Sequence, residues 1–126
     1  MTKQIISTQN APAAIGPYSQ AITLGDLIFT SGQLPLDVAT GELIDNDIKA
    51  ATAQVLKNVQ AILEEAGSSL DKALKATVYL KDMADFAAMN ETYAEFFTSN
   101  PPARTTIQVA KLPMDVAVEI DVIASK

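Results

Sequence analysis

Two stretches of this chain, Ala73 to Leu80 and Val116 to Ile123, alternate apolar with polar residues, and that alternation limits the possible folds more than any other feature. In the first, Leu74, Ala76, Val78 and Leu80 form one row and Lys75, Thr77 and Tyr79 the other. In the second, Val116, Val118, Ile120 and Val122 oppose Glu119 and Asp121. Successive side chains of a strand project to opposite faces, so both stretches read as strands of a sheet with one covered and one open face. The segment from Ile48 to Ala66 can supply the cover. Its residues Ile48, Val55, Leu56, Val59, Ile62, Leu63 and Ala66 follow three- and four-residue spacing, Asn46 or Asp47 can cap the start, and Gly67 can end the helix.

A second helix opens at Asp82 and Asp85, carries Phe86, Met89, Asn90, Tyr93 and Phe97 on neighbouring turns, and stops at Pro101-Pro102. Lys3 to Ser7, Ala21 to Leu24, Leu27 to Thr30 and Arg104 to Val109 read as further strands. Gly25-Asp26 fits a two-residue hairpin turn, Pro35 to Glu42 reads as a loop, and Pro113-Met114-Asp115 turns between the last two strands. This order predicts one α+β domain over residues 1–126, with two helices packed on one face of a mixed sheet. The other face, with Thr77, Tyr79, Thr106 and Glu119 in its outward rows, is left bare. Other copies of the chain are the economical cover, which predicts a homo-oligomer.

Cysteine and histidine are both absent. That removes disulfides, thiolate nucleophiles, serine-histidine triads and the usual zinc ligands. Neither a dinucleotide fingerprint nor a phosphate loop occurs, so no cofactor and no metal are expected. A net charge of −6, with eight lysines scattered along the chain, argues against a nucleic-acid partner. No run approaches the roughly 18 apolar residues of a membrane span, and the start lacks the layout of a signal peptide. A cytoplasmic protein with no membrane partner is the expectation.

Chemistry is left to carboxylates, tyrosines, hydroxyls, lysines and a single arginine, Arg104, set between Pro101-Pro102 and a threonine-rich strand. Its planar fork can hold a carboxylate or phosphate at two points, which a lysine cannot copy. Two roles are open to it: a salt bridge to one of the fifteen acids, or capture of an anionic ligand. Glu119 can hold or deprotonate a water beside a partly dry pocket, or stand solvated on its strand. Tyr18, directly after Gly16-Pro17, either offers a phenol to a ligand or packs its ring.

Several segments together carry a family likeness. Residues 11–20 (APAAIGPYSQ), Thr30-Ser-Gly-Gln33, residues 102–113 (PARTTIQVAKLP) and Val118-Glu-Ile120, with Phe86 and Asn90 four apart, resemble the signature segments of the RidA/YjgF family over the whole chain. The resemblance implies a fold like the trimeric bacterial chorismate mutases, assembled as a homotrimer with sites in clefts between subunits. It implies a hydrolase that deaminates 2-iminobutanoate and 2-iminopropanoate to the 2-oxo acid and ammonia, without metal. Carried over by position, Arg104 clamps the substrate carboxylate with help from the Thr106 N–H, and Glu119 positions or activates water. Tyr18, counted with these two as catalytic, shapes and closes the pocket together with Ser31, Gly32, Phe86 and Asn90. Many relatives carry cysteine where Thr106 stands, so any role needing a thiolate is absent. The alternative from another class is a non-catalytic trimeric module that senses small carboxylates or engages a partner protein.

Overall fold

The computed structural model describes residues 1–126. In chain order the elements are β1 (Gln4–Ile6), β2 (Ala21–Leu24), β3 (Leu27–Thr30), β4 (Leu36–Asp37), β5 (Glu42–Leu43), α1 (Ile48–Glu65), β6 (Ala73–Leu80), α2 (Phe86–Phe96), β7 (Ala103–Gln108) and β8 (Val118–Ser125). Six strands form one sheet in the order β1-β2-β3-β8-β6-β7. Only β6 and β7 run parallel, joined by the crossover through α2; the other neighbours are antiparallel. The mixed sheet with two helices is thus the α+β arrangement that the alternating strands demanded.

The local chemistry explains the elements. Gly25 sits at φ 57° in the β2–β3 turn, a left-handed conformation that costs glycine nothing. The Asp47 carboxylate accepts from the Lys49 N–H and so caps α1. Val55, Leu56, Val59, Ile62 and Leu63 of α1 are fully buried, together with Ile28 of β3, Val78 and Leu80 of β6, and Val118 and Ile120 of β8. Each such side chain contributes roughly 1.5–3 kcal/mol relative to exposure. Met89 and Tyr93 bring α2 into the same core. No helix is long and apolar enough to cross a membrane.

The structure departs from the sequence expectations at four places. Leu74 is exposed and Ala73 takes the buried position, because the β6–β8 register slips between Ala73 and Lys75 and one residue bulges out. The expected loop from Pro35 to Glu42 contains the β4–β5 hairpin, whose strands are too short to show a period. Asp82 caps a 3-10 turn over Met83–Asp85, and α2 proper starts only at Phe86. Finally, Thr106 is not on the open face. Parallel pairing sets Arg104 beside Ala76 and Thr106 beside Val78, and both of those partners are buried beneath the helices. Arg104 and Thr106 therefore face the helix layer, whereas Glu119, paired with Tyr79, faces the open side.

Candidate functional site

The candidate residues fall into two clusters. The first forms where α2 lies against the edge strand β7. Arg104 Nη1 donates to Asn90 Oδ1 at 2.7 Å. Its guanidinium carbon stands 4.7 Å from the centre of the Tyr93 ring and 5.5 Å from that of Phe86. The two ion pairs of the chain, Lys49–Glu91 and Lys81–Asp115, both leave it out. Of the two roles open to Arg104, an internal salt bridge is absent: its charge is unneutralised and borders a recess of about 410 Å³ walled by Tyr93, Pro101 and Pro102.

Thr106 belongs to the same cluster, two residues along the same face. Its Oγ1 is buried without a hydrogen-bond partner. The Val109 N–H donates to Leu80 O of β6 at 3.0 Å. Backbone N–H groups alternate sides along a regular strand, so the Thr106 N–H, three residues earlier, points to the free edge of the sheet. A guanidinium and an N–H directed to one edge can hold the two oxygens of a carboxylate.

The second cluster lines a cleft of about 580 Å³ that includes Tyr18, Ser31, Gly32 and Glu119, with Ile15 and Met114 at its rim. A short bridge builds it. The Gln33 N–H donates to Ile120 O at 2.8 Å and the Ile120 N–H to Gln33 O at 3.2 Å, which lays Gly32 directly over the Glu119 side chain. A Cβ at position 32 would collide with the Glu119 carboxyl group, so any larger residue must push that side chain aside. Burial raises the Glu119 carboxyl above its ordinary value, and the Asp121 charge adds to the shift.

The loop carrying Tyr18 is tied down by its neighbours. Ser31 Oγ donates to Ser19 O at 2.5 Å, and the Tyr18 hydroxyl accepts from the Ile15 N–H at 3.2 Å. The buried Gln20 amide accepts from the Thr8 N–H at 2.6 Å and donates to Pro12 O at 2.8 Å. At the rim, Met114 and Asp115 both adopt left-handed backbone, with φ 57° and 56°.

All eight predicted site residues have a place in this arrangement: Arg104, Thr106, Phe86 and Asn90 gather on the helix side, and Tyr18, Ser31, Gly32 and Glu119 on the open side. Within one chain the clusters do not meet. β6 separates β7 from β8, so they stand about 10 Å apart at the usual strand spacing and on opposite faces of the sheet. Sequence reasoning places Tyr93 only among the spaced residues of the second helix and includes Gln20 in a signature segment without giving it a role. The seven-residue step from Phe86 to Tyr93 does set both rings on one helix face, whereas Gln20 carries no local signal.

The family model described as endoribonuclease L-PSP matches residues 8–126. A RutC family protein of Pyrococcus horikoshii is 56% identical over 124 residues, covering 98% of both chains. A 2-iminobutanoate/2-iminopropanoate deaminase of Escherichia coli K12 is 50% identical over 122 residues, 94% of each chain. The crystal structure of E. coli TdcF with bound serine superposes with a TM-score of 0.93 at 45% identity, over 98% of each chain. Sequence and architecture agree along essentially the full length, and the chain belongs to the RidA/YjgF family.

Proposed function

We propose that this protein hydrolyses 2-imino acids, among them 2-iminobutanoate and 2-iminopropanoate, to 2-oxo acids and ammonia in clefts between the subunits of a homotrimer. The observation that carries this reading is the state of Arg104: a guanidinium held by neutral groups alone, its charge left for an incoming carboxylate. A relative named for this deamination and another whose structure holds serine, itself a small amino acid with a carboxylate, support it.

The separation of the two clusters requires more than one copy. The imine carbon of the substrate is bonded directly to its carboxylate carbon, so Arg104 and Glu119 must approach within one small molecule's length. The recess of one subunit set against the cleft of the next achieves this. Exposed Ile5, Leu27, Phe29 and Ile107 on the open sheet face favour such burial.

In this site the Arg104 fork and the Thr106 N–H take the carboxylate, and Asn90 and Phe86 hold the guanidinium. Tyr18, Ser31 and Gly32 of the other subunit close over the substrate. Water beside Glu119 attacks the carbon of the protonated imine and gives a proton to the carboxylate. Glu119 returns that proton to nitrogen, ammonia leaves as the C–N bond breaks, and the hydroxyl passes its proton to the freed Glu119 carboxylate as the C=O bond forms, from which the departing ammonia or water carries it away. A carboxylate with raised proton affinity is the better base for this step. A protonated imine is already electrophilic, so orientation supplies what a metal would elsewhere.

The test is turnover of imine freshly released by a dehydratase, read as ammonia formation; a rate equal to the spontaneous one leaves only the carboxylate-binding module. Arg104→Ala and Glu119→Gln, each inactive alone, should regain about a quarter of wild-type activity when co-assembled one to one, since each site draws one residue from each of two randomly mixed copies. No recovery would place both residues in one subunit's site. RNA lies outside this reading, because a net charge of −6 repels a polyanion.

A further inference from the structure

An arginine on an edge strand with no acid partner has many rotamers open to it. Arg104 has three contacts instead, all from one side of α2: Asn90 Oδ1 at 2.7 Å, the Tyr93 ring at 4.7 Å and the Phe86 ring at 5.5 Å. Tyr93, the nearer ring, is itself closely packed. It is only 5% exposed and packs against Phe97, with centroids 4.6 Å apart and planes tilted by 36°. Its hydroxyl is buried and has no hydrogen-bond partner within the chain, an arrangement that phenylalanine would avoid. The ring is therefore the working part of this residue.

A carboxylate in the same place would hold Arg104 equally still and would also cancel its charge. An aromatic face attracts the cation through its quadrupole and supplies no anion. We infer that Tyr93 is the positioning residue of the anion receptor: its ring, backed by Phe97, fixes the direction of the Arg104 guanidinium while leaving its positive charge whole. A small 2-oxo or 2-imino acid then meets a preset fork, and binding does not have to immobilise the side chain. The inference rests on the proposed function only in taking Arg104 as the carboxylate receptor.

Because Arg104 is the only arginine, protein labelled with 15N-arginine gives one guanidinium Nε–H signal, and its order can be followed directly. In the wild type this signal should show a heteronuclear NOE as high as the ordered backbone and should shift on titration with 2-oxobutanoate. Tyr93→Leu, or Tyr93→Met should the leucine variant fold poorly, should lose that NOE. The Kd for 2-oxobutanoate and the KM for imine should rise about tenfold or more, with kcat changed by less than about threefold. Tyr93→Phe should restore both the NOE and the affinity to within about threefold and melt at a higher temperature. Met89→Ala removes a fully buried side chain of the same helix without touching Arg104 and serves as the packing control. It should lower Tm and leave Kd unchanged. An ordered Arg104 signal and unaltered Kd in a folded Tyr93→Met protein would overturn the inference and leave the proposed reaction standing. A wild type that binds 2-oxobutanoate and turns over no imine would do the reverse.

Discussion

The recess around Arg104 is braced by its own neighbours, with two aromatic rings and an amide on the guanidinium. The cleft around Glu119 stands open, with Ile15, Tyr18 and Met114 exposed at its mouth. On the proposed reading the first is a receptor for one end of a small acid, its guanidinium already held by neutral neighbours. The second holds a half-buried carboxyl pressed against Gly32, in an environment that raises its proton affinity. On that reading binding and proton transfer fall to residues on different faces of one sheet.

Arg104→Ala should break the comparison most severely. Removing the charge partner costs on the order of 3 kcal/mol or more, so kcat/KM for imine should fall by about a hundredfold or beyond while circular dichroism shows the fold retained. Full activity in this variant would contradict the whole assignment. Gly32→Ala comes next: the new methyl displaces the Glu119 carboxylate and should lower kcat by about 10- to 100-fold, with the Kd for 2-oxobutanoate little changed, if the two halves are as separate as described.

Ser31→Ala removes the hydrogen bond to Ser19 O that tethers the Tyr18 loop. It should cost about 1 kcal/mol in urea unfolding and reduce kcat/KM only a few-fold. The smallest effect concerns pH. The folded-state pKa of Glu119 lies above its unfolded value of 4.5, so the folded protein holds the proton more tightly and stability declines as pH rises through that folded-state pKa. Glu119→Gln should remove this decline and be the more stable protein at neutral pH in paired urea melts from pH 4 to 8. Equal slopes for the two proteins would show that burial does not burden the carboxylate.

The elements with strong periodicity are legible in the amino-acid sequence. α1, the β2–β3 hairpin and β8 all follow from apolar spacing and turn residues, because their burial is one-sided and regular. Leu74 defeats the same reading because a bulge inserts one residue into a pattern that otherwise continues, and nothing in the side chains marks the slip. Thr106 defeats it for a different reason. β7 is an edge strand whose residues are exposed or only half-buried, so its sequence carries no alternation from which to read a face. Motifs single out the eight candidate residues but not their grouping. The division between the two sides of the sheet depends on the parallel register with β6, which no local pattern encodes.

β8 comes last among the strands in chain order and yet sits between β3 and β6. The cluster around Arg104 draws only on the segment from Phe86 to Thr106 and its strand neighbour, close along the chain. The glutamate cleft joins residues near position 15 to others near 119, a span of about a hundred residues that must be closed before any contact there is gained, and closing it carries the larger loop entropy. During synthesis the surroundings of Arg104 can take shape early, but Glu119, the proposed proton carrier, falls into place only when the final strand slots into the sheet.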